Sequence, residues 1–208
     1  MTAISDKEIQ DTLRPYGISP DNDQCAAIRL YVSLLLRWNK KISLTTVVDP
    51  LKILRFHFGE SFFAACSVPI EKGRLADVGS GPGFPGLALG IVLSGMSITL
   101  IESNSKKAAF LAELARELNL RHVDVIRQRF EEIPANPGRF DYVTARALGN
   151  YSDLLVWAHG RINNTGSIIL WLGEDECGRI SAEPSFIWRK PLHIPGSTRR
   201  FIIVGAPR

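Results

Sequence analysis

Cysteine is scarce in this chain, and its three copies, Cys25, Cys66 and Cys177, stand far apart with no Cys-x-x-Cys pair. That spacing argues against a disulfide framework and against a cysteine zinc site. The four histidines are equally scattered. The one suggestive pairing, His57-Phe-Gly-Glu60, offers a metal only two ligands and reads as a hydrogen-bonded helix pair, so no metal is expected. No apolar run approaches the roughly 20 residues that a membrane-spanning helix needs. The start, Met1-Thr-Ala-Ile-Ser-Asp6, lacks the basic-then-apolar pattern of a secretory signal. A cytoplasmic protein with no membrane partner is therefore expected, a monomer by default. Internal repeats and low-complexity tracts are missing too. What remains is a globular chain of 208 residues, 45% hydrophobic and 22% charged, long enough for one substantial core and a small appended element.

Against those absences one stretch stands out, Leu75-Ala-Asp-Val-Gly-Ser-Gly-Pro-Gly-Phe-Pro-Gly86. The apolar run Leu75 to Val78 reads as a strand, and a helix begins near Pro85, whose fixed φ suits a first helical turn. The backbone must double back between them. Gly79, Gly81 and Gly83 permit positive φ and, lacking a Cβ, let a ligand lie against bare main chain. Gly81-x-Gly83-x-x-Gly86 also satisfies the dinucleotide fingerprint, and Glu102, 21 residues after Gly81, ends the next apolar run where an acid can bind ribose hydroxyls. Glu102 therefore speaks for the fold and leaves the ligand open. Asp77 favours one ligand over the other, because a carboxylate before the first glycine repels a pyrophosphate and suits the cationic sulfonium and ammonium of S-adenosylmethionine. A purely structural Gly-rich turn is the remaining alternative.

Residues from about Ser5 to Ala65 read as helical, with Ala27, Leu30, Tyr31, Leu34 and Trp38 at helix spacing as a core stripe. Ser43-Leu-Thr-Thr-Val interrupts them, and Asp49-Pro50 restarts a helix with an N-cap acid and a first-turn proline. Residues 1–73 thus form an N-terminal helical extension and 74–208 a second unit. In that unit the apolar runs Leu75–Val78, Ile98–Ile101, Val123–Ile126, Tyr142–Thr144 and Ser167–Trp171 alternate with helices near Gly86–Leu93, Ser105–Leu118 and Ser152–Arg161. The alternation predicts an α/β fold with a mainly parallel sheet covered on both faces. Phe186–Lys190 and Phe201–Val204, flanking Pro195-Gly-Ser197, look like a closing antiparallel hairpin. Ligands of such sheets bind beyond the carboxyl ends of the strands. The candidates there are Asp77 and Gly79, Glu102, Gln128 to Glu131, and Arg146.

The net charge of +4 fits a polyanionic partner without demanding one. Basic residues gather at Arg37, Lys40, Lys41, Lys52 and Arg55, at Lys106, Lys107, Arg127 and Arg129, and at Arg189, Lys190, Arg199 and Arg200.

Several motifs in one order resemble the RsmG (GidB) family of bacterial 16S ribosomal RNA guanine-N7 methyltransferases, from about Arg37 to Arg200. They are Trp38-Asn-Lys-Lys-Ile-Ser-Leu-Thr45, His57-Phe-x-x-Ser61, Asp77-Val-Gly-Ser-Gly-x-Gly-x-Pro-Gly86, Lys106-Lys-Ala-Ala-Phe-Leu111 and Val143-Thr-Ala-Arg-Ala-Leu148. The resemblance implies a class I, Rossmann-like methyltransferase fold. By motif position it places the methyl donor on Gly79, Phe84, Phe130, Glu131 and Arg146, with Phe130 over the adenine, Glu131 accepting from an adenine amine or ribose, and Arg146 ordering the catalytic site. Ordinary core packing is the alternative for Phe84 and Phe130. One departure is that Trp171-Leu172-Gly173 stands where the family usually shows Leu-Lys-Gly, and Glu174 to Ser185 is shortened and acidic.

The resemblance implies 16S ribosomal RNA or the small ribosomal subunit as partner, with Lys40, Lys41, Arg199 and Arg200 gripping phosphates. Guanine N7 carries an in-plane lone pair at neutral pH, so no general base is required and the missing acid/base pair is expected. A small-molecule methyltransferase, an NAD-dependent oxidoreductase and a non-catalytic RNA-binding module are the competing readings.

Overall fold

The computed structural model describes residues 4–70, 72–134 and 139–208. Several helices begin at explicit caps. Helix α1 (Asp6–Leu13) opens on a reciprocal Ser5–Glu8 capping box and α2 (Asn22–Asn39) on an Asp21–Gln24 box. Asp49 caps α3 (Pro50–Ile53), whose first residue is the proline. It runs through a π-helical turn (Leu54–Gly59) into α4 (Glu60–Ser67).

The strands β1 (Gly73–Val78), β2 (Met96–Ile101), β3 (Val123–Ile126), β4 (Phe140–Arg146) and β5 (Ile162–Gly173) are all parallel. Between them lie α5 (Gly86–Val92), α6 (Ser105–Glu117) and α7 (Tyr151–His159), the last two capped by Asn104 and Asn150. After α8 (Glu174–Ser181) the chain returns as β6 (Phe186–Trp188), β7 (Leu192–His193) and β8 (Arg200–Pro207). The spatial order is β3-β2-β1-β4-β5-β8-β6, with β7 also on β8 and all β8 pairings antiparallel. The expected closing hairpin is therefore present, and its second strand inserts between β5 and β6. Helix α5 starts at Gly86 as expected, with Pro85 as its cap.

Two apolar layers clamp the sheet. One joins Leu75, Ile98 and Leu100 to α5, α6 and the N-terminal helices through Tyr31, Phe58, Phe62 and Phe110. The other joins Ala76, Val78, Val143 and Ile168 to Trp157 and Leu154 of α7. The N-terminal helices thus share a core with the sheet. Successive residues of β1 point to opposite faces, so Asp77 turns toward α5 and Val78 away from it. Strand order reverses between β1 and β4, and at that switch point open α/β sheets bind ligands. Among the described residues no helix is long and apolar enough to cross a membrane, and no group of side chains could hold a metal ion.

Candidate functional site

At the carboxyl end of β1 the chain turns through Gly79, Gly81 and Gly83 with φ of 70°, 54° and 95°. At Gly79 the turn is needed sterically as well, since a Cβ there would sit 2.8 Å from Leu148 Cδ1. Gly83 makes room for Tyr31 of α2, whose hydroxyl donates to the Pro82 carbonyl at 2.7 Å. Glu102 holds the turn from the other side. Its Oε2 accepts from the Gly81 amide at 2.9 Å and its Oε1 from the Asn104 amide at 2.7 Å. Both carboxylate oxygens thus stabilise the loop and the start of α6.

Asp77 lies beneath the turn with no solvent exposure. Its Oδ1 accepts from the Thr144 hydroxyl at 2.8 Å, while Oδ2 rests against the Gly86 backbone and has no well-aligned donor among the described residues. Burial raises its carboxyl to about 6, against the lowering effect of Thr144, Ser80 and Gly86, with Glu102 adding repulsion. Its influence on a ligand is therefore electrostatic, exerted through the turn.

Above the turn opens a cleft of about 210 Å³ lined by Gly79, Ser103, Gln128, Phe130, Glu131 and Asn150 among others. The structure brings Gly79, Phe130 and Glu131 together here, with Phe130 braced edge-on by Trp157. Phe84 is elsewhere. It stacks on Tyr31 and His57 inside the core, so the packing alternative holds for that residue. Bare backbone at Gly79, an acid at Glu131 and a buried carboxylate below suit a nucleoside that carries positive charge, while Phe130 borders the cleft but is itself packed in the core layer with Trp157 at 9% exposure.

A second cleft of about 310 Å³ lies beyond Ala147 and is lined by Glu60, Arg146, Ala147, Trp171, Leu172, Gly173, Glu176, Ile194 and Arg200. Ala147, with φ of 53°, is a left-handed non-glycine residue between the two clefts, an uncommon and strained conformation that clusters at functional sites. Arg146 is mostly buried. Its Nη2 donates to the Phe56 carbonyl at 2.9 Å and pairs with Glu60 Oε2 at 3.1 Å, while buried Nη1 has no partner among the described residues. The other Glu60 oxygen accepts from Arg200, which also lies over the Phe56 ring. Burial raises the Glu60 carboxyl and the two arginines oppose that shift.

Glu60 was read in the sequence only as a helix partner of His57, because its actual partners are 86 and 140 residues away and only the fold unites them. His57 does not pair with it. His57 Nε2 meets the Thr45 hydroxyl at 2.9 Å, and burial, helped by Arg146, depresses the imidazole to about 4. Asn39 ties the same loop through the Leu44 and Thr45 amides and the Thr45 carbonyl. The Trp38-to-Thr45 and His57 motifs therefore build the wall behind Phe84.

The basic candidates separate. Lys40 and Lys41 are exposed at the end of α2. Arg199 pairs with Glu174 at 3.1 Å and Asp175 at 3.3 Å on the surface, and Arg200 turns inward to Glu60.

Comparison with known proteins bears on this arrangement. Residues 24–193 match the family model GidB, described as rRNA small subunit methyltransferase G. The chain is 36% identical over 192 residues to the ribosomal RNA small subunit methyltransferase G of Xanthomonas campestris pv. campestris, covering 89% of each. It is 35% identical over 187 residues to the protein of that name from Escherichia coli, covering 88% of each. Among solved structures, a ribosomal protein L11 methylase from Lactobacillus delbrueckii subsp. bulgaricus aligns with TM-score 0.61 at 15% identity, over 74% of this chain and 79% of that one. The latter likeness is one of fold, Rossmann-like and shared with methyltransferases.

Proposed function

The chain belongs to the GidB family, rRNA small subunit methyltransferase G, and from that premise we propose that it methylates guanine N7 in 16S ribosomal RNA with S-adenosylmethionine as donor. The observation that carries the donor assignment is the buried Asp77 carboxylate, one oxygen unpartnered, beneath a glycine-walled cleft. Such a carboxylate opposes the pyrophosphate of a dinucleotide and favours a sulfonium. Gly79 gives the donor bare backbone, Phe130 a face for its adenine and Glu131 an acceptor for its amine or ribose hydroxyls.

The donor supplies an electrophilic methyl group. The N7 lone pair forms the new N–C bond as the C–S bond breaks, its electrons stay on sulfur, and the positive charge passes to the purine. No proton moves, so alignment in a preorganised site is the whole task. N7 lies in the deep, narrow major groove of A-form RNA, and the target is accordingly a loop base or one turned out of its stack. Lys40, Lys41 and Arg199 contact phosphates. The exposed pairs of Arg199 with Glu174 and Asp175 cost little to exchange, whereas Arg200 serves the second cleft.

The test is mass spectrometry of 16S RNA from cells with and without this protein. Loss of one N7-methylguanine is expected, and an unchanged set of methylated bases would refute the proposal.

A further inference from the structure

The two clefts meet along one short piece of main chain. Ala147 lines the second cleft, while Leu148, Gly149 and Asn150 line the first together with Gly79. A methyl group passing from a donor in the first cleft to a base in the second must cross this seam, so the seam sets the gap between them. In-line transfer is sensitive to that gap, since a misplacement of about 1 Å costs about 100-fold in rate.

Little packing fixes the seam. Ala147, Gly149 and Asn150 are exposed, and a Cβ added at Gly149 would meet no atom within 4 Å. Ala147 is also left-handed, with φ of 53°, a conformation that an alanine keeps only where its surroundings hold it. Two contacts supply that hold. Leu148 lies against Gly79, where an added Cβ would come within 2.8 Å of its Cδ1. The Leu148 amide donates to the Tyr151 hydroxyl at 3.4 Å, and the Ala147 amide faces the same oxygen. Among the described residues Tyr151 is the one side chain bonded to this stretch of main chain. It stands at the first position of α7, and its ring is fixed in the apolar layer with Leu154, Leu155 and Trp157. The geometry points to Tyr151 as a positioning residue for methyl transfer, whose phenol oxygen holds the left-handed Ala147, seats Leu148 on Gly79 and thereby sets the spacing of donor and target base. It acts through the main chain and contacts neither of them.

This inference rests on the proposed methylation, with the second cleft receiving the target base, and its test keeps the two apart. Tyr151→Phe removes the oxygen and leaves the ring in the core. In the donor-free full-length protein, hydrogen exchange at the Leu148 amide should quicken at least about tenfold, with a fall in Tm of no more than about 4 °C. With small ribosomal subunits that lack the N7 methyl group and labelled S-adenosylmethionine, kcat should fall about 10- to 100-fold. KM for the subunit and donor affinity by calorimetry should stay within about threefold of the wild type. Ala147→Gly is the second variant, because glycine takes positive φ without strain. Added to Tyr151→Phe, it should raise kcat again by at least about fivefold. Unchanged exchange or unchanged kcat in Tyr151→Phe, a donor affinity that falls as far as kcat, a larger fall in Tm, or no recovery with Ala147→Gly overturns the role of Tyr151 while methylation stands. Absence of transfer by the wild type overturns both.

Discussion

Replacing Asp77 with asparagine should stabilise the empty protein while weakening its hold on the donor. Burial raises the Asp77 carboxyl to about 6, roughly 2 units above an ordinary aspartate, which corresponds to about 3 kcal/mol. The native state binds a proton on Asp77 more tightly than the unfolded chain does. The contribution of the group is therefore fully favourable below about pH 4 and is lost as pH rises through about 6. At neutral pH the wild type bears the whole penalty of a buried charge, and Asp77→Asn does not. The amide keeps an acceptor for Thr144 but brings a donor in need of a partner, which returns about 1 kcal/mol. A net gain of about 2 kcal/mol remains, roughly 4–8 °C in Tm for a chain of this size. Urea denaturation of both proteins between pH 4 and 7.5 isolates the effect, because every other group titrates alike in the two. Their difference should move by about 3 kcal/mol in favour of the variant as pH rises across that range. Calorimetry at pH 7.5 should show at least about tenfold weaker S-adenosylmethionine binding, or about 1.4 kcal/mol. A stability difference that stays flat with pH would refute the reasoning.

Gly79→Ala puts a Cβ at positive φ and 2.8 Å from Leu148. It should cost about 1–2 kcal/mol of stability and weaken donor binding about tenfold, as read by urea denaturation and calorimetry. Glu60→Ala strands the mostly buried Arg146 and should cost about 3–5 kcal/mol in urea denaturation; a loss below about 1 kcal/mol would mean that the pair is not structural. Changing Lys40 and Lys41 to glutamate should weaken binding to 16S RNA and flatten its salt dependence while leaving donor affinity intact. Unchanged RNA affinity would remove both lysines from the interface.

The parallel sheet was legible because its strands are short apolar runs separated by helices with written caps, and Asn104 and Asn150 cap α6 and α7 as their residue types suggest. Strand ends were less so. Strand β5 begins at Ile162 with the polar Asn163-Asn164-Thr165, which carries no apolar signal because Asn164 and Thr165 face solvent and Asn163 is bonded to Asp141. The glycine turn declared its backbone shape through composition alone. The direction of Asp77 was not legible: the sequence set its carboxylate beside the ligand, whereas in the fold it turns toward α5 and lies wholly buried under the loop. Phe84 could be read as core or as ligand contact, and only the aromatic stack with Tyr31 and His57 decides for core. The second cleft was invisible for a different reason. Glu60, Arg146 and Arg200 come from three distant segments, and no local spacing encodes their meeting.

The hydroxyl of Tyr31 reaches the Pro82 carbonyl across 51 residues of chain. Trimming the polypeptide to a minimal nucleotide-binding sheet would pull that ring out of the donor loop and open a void the size of a phenol where the loop now leans. The leading helices are in that sense part of the floor of the glycine turn. A shortened version should fail at holding the donor even where the sheet itself still forms.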